Sequence, residues 1–246
     1  MNLVILAAGK SSRIFQKIKK NKCLININKK QTIIGKIIDE AKPFFSEIYV
    51  ITGFNSKYLE KKVSIKNRNV KFIFNKEYNT KDMLHSIYIG LKKSKSDTVI
   101  CYSDIIFDQK VFKSIKELNK KKYLTLPLLK NWRNLWKKRN KLQILDAEEI
   151  ILDKKNFVKK IGKKIDIQDK NTKNQFMGIL YLPKNIRNSI MNFYKKIIYK
   201  KFQTTDFIQY LINNKLKVKA IPMNTFWYEI DDYKDYEYFK KNKFIN

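Results

Sequence analysis

The stretch Leu3-Val-Ile-Leu-Ala-Ala-Gly-Lys-Ser-Ser-Arg13 decides how this chain is read. Its apolar part, Leu3 to Ala8, is a short continuous run that reads as a buried strand. Small residues follow at once. Ala7, Ala8, Gly9, Ser11 and Ser12 let backbone N–H groups close on an anion, and successive amides in such a turn form a concavity suited to phosphate. Leu6 to Arg13, Lys10 included, is therefore a candidate nucleotide-binding loop. Arg13 adds a bidentate donor, and Lys22, nine residues on, can fold back as a point charge. The loop is neither G-x-x-x-x-G-K-[ST] nor G-x-G-x-x-G. Its place directly after the first strand matters more, because ligands of open parallel sheets lie outside the carboxyl ends of strands.

Outward from this loop, apolar runs alternate with amphipathic ones. Strands are expected at 47–52, 70–74, 97–102 and 123–128. Helices are expected at 32–45, 55–62, 81–93 and 109–121. Strands alternating with helices imply βαβ units, a mostly parallel sheet and right-handed crossovers. Between about 130 and 175 the pattern changes to short strands (142–144, 149–152) in polar, Lys-rich sequence, which reads as an inserted cap or β-ribbon. Strands return at 176–182, 217–221 and 226–230, with helices at 186–199, 206–214 and from 231 to 240. The expectation is a single α/β domain over 1–246, Rossmann-like, its mixed, mostly parallel sheet flanked by helices and carrying a small inserted cap.

Composition narrows the function classes. Lys+Arg number 54 against 22 Asp+Glu, a net charge of +32. Such a charge suggests a nucleic-acid surface. Only five of the 54 are Arg, however, while Ile numbers 35, Asn 24 and Ala 5. Lys, Ile and Asn have A/T-rich codons, so coding bias explains the lysines without a polyanion. A base- or phosphate-reading surface would favour Arg, whose planar fork binds bidentately. Nucleic acid is thus disfavoured as partner. Cys23 and Cys101 have no metal spacing, in keeping with a reduced cytoplasm. Leu3–Ala8 is no signal peptide, and no apolar stretch approaches the roughly 18 residues of a membrane span.

Acidic residues fall where the sheet would present them. Asp104 follows the fourth strand, near the glycine loop. Glu229 and Asp231 lie two apart on a strand-like segment and should share one face. Three such oxygen ligands converging on a triphosphate suit Mg²⁺, whereas Asp232 and Asp235 suit the first turn of a helix. His85, the only histidine, excludes a zinc site of several histidines and reads as a packed side chain.

With these residues in hand, Leu6-Ala-Ala-Gly-Lys-Ser-Ser-Arg13 followed by Lys22 resembles the signature of nucleotidyltransferases that join NTPs to sugar phosphates or phospho-alcohols. That superfamily usually shows L-A-A-G-x-G-x-R and then P-K; here Ser11 and Asn21 replace Gly and Pro. Further segments are similar to phosphocholine and aminoalkylphosphonate cytidylyltransferases: Asn79-Thr-Lys-Asp-Met-Leu-His-Ser86, Tyr102-Ser-Asp104, Trp132 to Glu148, Phe176-Met-Gly178, and Trp227-Tyr-Glu-Ile-Asp231 followed by Asp235. The resemblance implies catalytic Arg13 and Lys22, nucleotide contacts from Asp82 and Ser86, and an Mg²⁺-dependent transfer of CMP from CTP to phosphocholine, phosphoethanolamine or 2-aminoethylphosphonate, with release of diphosphate. Trp132, Trp136, Tyr181 and Tyr228 are candidates for an aromatic ammonium site, and Asp146 and Glu148 for a primary ammonium. A homodimer is compatible with this reading. Two alternatives stand beside it: a sugar-1-phosphate nucleotidyltransferase using UTP or dTTP, and a basic nucleic-acid-binding protein.

Overall fold

A computed structural model describes residues 1–65, 69–118, 122–138, 147–165 and 171–242. The N-terminal part runs β1 (Asn2–Ala7), α1 (Ser12–Ile18), α2 (Ile33–Ala41), β2 (Glu47–Thr52), α3 (Ser56–Ser64), β3 (Val70–Phe74) and α4 (Met83–Lys93). Next come β4 (Thr98–Tyr102), β5 (Ile105–Phe107), α5 (Lys110–Glu117), β6 (Leu124–Leu129), α6 (Trp132–Lys138), β7 (Glu148–Leu152) and β8 (Val158–Lys164). The chain closes with β9 (Gln175–Phe176), β10 (Ile179–Leu182), α7 (Arg187–Ile197), α8 (Thr204–Asn213), β11 (Val218–Met223), β12 (Trp227–Glu229) and α9 (Tyr233–Asn242).

The main sheet has the order β11-β6-β10-β4-β1-β2-β3, with β9 beside β6. β1, β2, β3 and β4 are mutually parallel, as are β6 and β11; β10 and β9 run antiparallel. This is the mixed, mostly parallel sheet expected. Strand alternation splits the core between two faces. Leu3, Ile5 and Ala7 of β1 pack with Ile33, Ile37, Leu59 and Phe112. Val4, Leu6 and Ala8 point to the other face, toward Leu84, Ile87, Ile190 and Ile208. On that side α4 presses closely on β1: a Cβ at Gly90 would stand 2.6 Å from Val4 Cγ1.

Several elements differ from expectation. The run 176–182 is two strands, broken where Gly178 takes φ 71°. A Cβ there would meet the Tyr102 ring at 2.9 Å. The ribbon expected in 130–175 is present as the antiparallel pair β7–β8, but α6 precedes it, and β8 falls in sequence that reads only as polar. Its Lys side chains fall in exposed pairs, 159–160 and 163–164, around buried Val158 and Ile161. The predicted strand 142–144 lies outside the described residues. β12 does not join the main sheet; it pairs with β5, another short strand the pattern does not reveal.

Order around β1 sets the site. The chain goes outward from β1 to β2 and β3, then returns to β4 on the other side of β1. Ligands of open sheets bind at such a reversal, beyond the carboxyl ends of the strands. Here those ends carry Ala8–Arg13 and Ser103–Asp104.

Candidate active site

The loop after β1 is shaped by backbone contacts. The Ala8 carbonyl accepts from Phe54 N at 3.0 Å, and Gly53 permits this approach, since a Cβ there would lie 2.7 Å from the Ala8 oxygen. Ser11 adopts φ 56° and turns the chain into α1. Its hydroxyl accepts from Lys22 N at 2.9 Å. Asn21, only 1% exposed, donates to the Phe54 carbonyl at 2.9 Å. These two bonds fix the return of the chain to the loop, at the position where Pro is usual in the resemblance.

Lys22 is thereby aimed at two acids. Its Nζ lies 2.8 Å from Asp104 Oδ2 and 3.1 Å from Asp231 Oδ1. Asp231 also pairs with Arg13. Burial alone would lower the Lys22 pKa, but Asp104 and Asp231 outweigh it and hold the ammonium above its ordinary value. Pairing of β12 with β5 brings the two acids together: Ile230 N donates to the Asp104 carbonyl at 3.0 Å. Behind them Asp235, 2% exposed, accepts from the backbone of Asp231 at 3.0 Å and of Asp232 at 3.3 Å. Asp232 in turn accepts from Asp235 N at 2.9 Å. Both residues brace the turn into α9, the capping role the sequence suggests.

A cavity of about 330 Å³ opens over this network. Leu6, Ala7, Ala8, Gly9, Ser11, Ser12, Arg13 and Lys22 line it, together with Asp82, Ser86, Asp104 and Asp231. Lys10 is exposed and does not line it. Asp82 Oδ2 accepts from Phe202 N at 3.1 Å; buried Ser86 accepts from Asn75 Nδ2 at 3.0 Å. Asn75, Tyr78 and Lys81 also reach the cavity; nothing in their spacing signals it. Cys23 lies at its floor, its thiol pushed by burial up to about 12.

Tyr102 borders this cavity and a second one of about 170 Å³. Trp136, Glu148, Gln175, Thr205, Trp227 and Glu229 line the second. Trp136 and Trp227 stack with centroids 5.4 Å apart, and Thr205 Oγ1 donates to Glu148 Oε1 at 3.0 Å. Gln175, Thr205 and Tyr102 carry no sequence signal for this role.

Besides Lys10, four expected placements are corrected. Glu229 lines the second cavity, not the first, so the three carboxylates do not form one cluster. Among the described residues no group of three or more potential ligands gathers. The reason is that β12 ends at Glu229, so strand alternation does not carry on to Asp231. Tyr181 is fully buried and donates to Asp97 Oδ2 at 2.8 Å, at the amino end of β4 and away from both cavities. Tyr228 is equally buried and donates to the Asp235 carbonyl at 3.0 Å. Trp132 packs behind Trp136, its Nε1 donating to the Thr172 carbonyl at 3.3 Å. Asp146 lies outside the described residues. His85 is a packed histidine, 2.9 Å from the Tyr194 hydroxyl.

No helix among the described residues is long and apolar enough to cross a membrane.

Comparison with known proteins meets this geometry. Residues 3–123 match the MobA-like NTP transferase domain. Over 96% of the chain and 98% of the relative, the sequence is 28% identical to a CTP:phosphoglutamine cytidylyltransferase of Campylobacter jejuni. Two solved structures share the fold. One is an inositol-1-phosphate CTP transferase from T. maritima, with a TM-score of 0.77, 16% identity, and coverage of 99% of this chain and 96% of that one. The other is the CTP:phosphocholine cytidylyltransferase of Streptococcus pneumoniae, with a TM-score of 0.71, 17% identity and 98% coverage of both chains.

Proposed function

We propose, from the match of residues 3–123 to the MobA-like NTP transferase domain and the near full-length likeness to a cytidylyltransferase, that the chain is a nucleotidyltransferase that transfers CMP from CTP to a small, amine-bearing phosphate or phosphonate, releasing diphosphate. The single observation that carries this reading is the adjacency of two cavities across Tyr102. One is walled by the glycine loop and the Lys22–Asp104–Asp231 network, the other by Glu148, Glu229 and the Trp136–Trp227 pair. The first fits a nucleoside triphosphate. The second has the size of a head group of a few heavy atoms, and its two carboxylates suit an ammonium. The near full-length relative acts on CTP and phosphoglutamine, a pair of this chemistry.

Loop amides from Ala8 to Ser12 hold the triphosphate, with Arg13 and Lys22 opposing its charge. The acceptor brings an oxygen that is already anionic, so no general base is required. That oxygen attacks the α-phosphorus in line, the bond to the bridging oxygen breaks, and diphosphate leaves. The chain positions two polyanions that repel each other, and fixed cations supply most of the stabilisation of such a transition state. Asp104 and Asp231 fit a divalent cation: they are hard oxygen donors converging on one ammonium, as Mg²⁺ sites with one or two carboxylates require. Mg²⁺ bound there would supply further neutralisation of the phosphate oxygens.

The test is diphosphate release from each of the four NTPs with phosphocholine, phosphoethanolamine, 2-aminoethylphosphonate, phosphoglutamine and sugar-1-phosphates. CTP with an amine-bearing acceptor should turn over. Turnover confined to UTP or dTTP with a sugar-1-phosphate would replace this reading by the alternative one.

A further inference from the structure

The structure assigns Arg13 and Lys22 a second role, in which they occupy the carboxylates of the metal site as internal stand-in cations, so that a divalent cation and the nucleotide enter together by exchange of partners. This rests on reading the first cavity as a nucleotide site. Lys22 Nζ sits between Asp104 and Asp231 at 2.8 and 3.1 Å. Arg13 takes the outer oxygen of Asp231. The two groups suited to holding a triphosphate are thus committed to the two groups suited to holding the metal.

The burial of these groups makes the exchange cooperative. The Lys22 side chain is 17% exposed and those of Asp104 and Asp231 are 20% and 29%. A metal ion arriving alone must displace the ammonium and leave it largely buried without a counter-ion, a costly state. A nucleotide arriving alone must draw the cations away and leave two neighbouring carboxylates facing each other and the triphosphate. When both arrive, the carboxylates pass to the metal and the cations to the phosphates, and every charge keeps a partner. By linkage, the factor by which nucleotide tightens metal binding equals the factor by which metal tightens nucleotide binding. Arg13 is 65% exposed and holds its acid more weakly than Lys22 does. It is the member that lets go first.

The proposal is tested by Mn²⁺ binding, followed by electron paramagnetic resonance, without and with CTP. The proteins are wild type, Lys22→Met, Arg13→Gln and Asp104→Asn, each checked for folding by circular dichroism. Wild type should bind free Mn²⁺ weakly and gain about tenfold when CTP is present, within the usual range of coupling between two ligands. Without nucleotide, Lys22→Met should bind Mn²⁺ about tenfold more tightly than wild type and Arg13→Gln about threefold, since each bares a carboxylate. Asp104→Asn should lose the site. Lys22→Met and Arg13→Gln proteins that bind free Mn²⁺ no more tightly than wild type would overturn the proposal, as would equal wild-type affinity with and without bound CTP. If Lys22→Met fails to fold, Arg13→Gln decides. Failure of the nucleotide reading appears separately, as absence of CTP binding, while the comparison made without nucleotide stands unaffected.

Discussion

Lys22 concentrates the account at the scale of single residues. Its ammonium is the junction of the Asp104 and Asp231 carboxylates, and removing one fixed charge of this kind costs about 10²- to 10³-fold in turnover. Lys22→Met and Asp104→Asn should each lower kcat by that order, read by diphosphate release. The pH dependence has a definite sign. The folded pKa of Lys22 is raised, so its ion pairs are fully present below the unfolded value of about 10.4 and are lost only as pH rises through the still higher folded value. The kcat/KM profile should show no basic limb from Lys22 between about pH 7 and 10. Glu229→Gln separates two roles. From the second cavity it should raise KM for the acceptor and leave KM for CTP unchanged, whereas Asp231→Asn should depress kcat. Arg13 and Asp104 are legible as neighbours because each closely follows the carboxyl end of a strand, β1 or β4, whereas Lys22 lies beyond α1 and is returned to the loop by its backbone bond to the Ser11 hydroxyl. Glu229 was misplaced because a strand-like pattern does not show where the strand stops. Tyr181 and Tyr228 were misread for a related reason: an aromatic in a motif looks the same whether its ring fills a cavity or its hydroxyl is spent on Asp97 or on the Asp235 carbonyl.

At the scale of elements, the turns carry as much meaning as the strands. Gly178 separates β9 from β10 at φ 71° and leaves room for the Tyr102 ring. Gly178→Ala imposes a left-handed residue and a clash on the side chain dividing the two cavities. It should destabilise the fold by about 1–3 kcal/mol and disturb both substrates' KM; urea unfolding and steady-state kinetics check the two parts. Thr32 serves as a contrasting control. Its hydroxyl accepts from Gly35 N at 3.1 Å at the start of α2, so Thr32→Ala should cost about 1 kcal/mol with kinetics unchanged. The long periodic elements were legible: α2, α4, β1 and β4 follow patterns that burial enforces. α1, β5, α6 and β8 were not. α1 and β5 are short, α6 is set by the Trp132–Trp136–Trp227 packing, and β8 is a ribbon strand whose Lys-rich outer face hides the two residues it buries.

Across the whole molecule, the net charge of +32 is the feature most open to misreading. Two basic residues of the site, Arg13 and Lys22, already face acids. Many other lysines are exposed helix and loop positions. Such a surface attracts any polyanion through counter-ion release, an effect that falls steeply with salt. Added duplex DNA should therefore bind only at low ionic strength and leave diphosphate release unchanged at about 0.15 M salt. The sheet order, which reverses between β1 and β4, makes a different demand: it gathers the loop, Asp104 and Asp231 over one cavity, the one proposed to take a triphosphate. The measurement that tests this most directly is diphosphate release with CTP and phosphoethanolamine, 2-aminoethylphosphonate or phosphoglutamine, run beside UTP and dTTP with sugar-1-phosphates. Turnover with CTP and an amine-bearing acceptor is expected, lowered about 10²- to 10³-fold in Lys22→Met. No turnover with CTP and any of these acceptors, or undiminished turnover in Lys22→Met, would contradict that expectation.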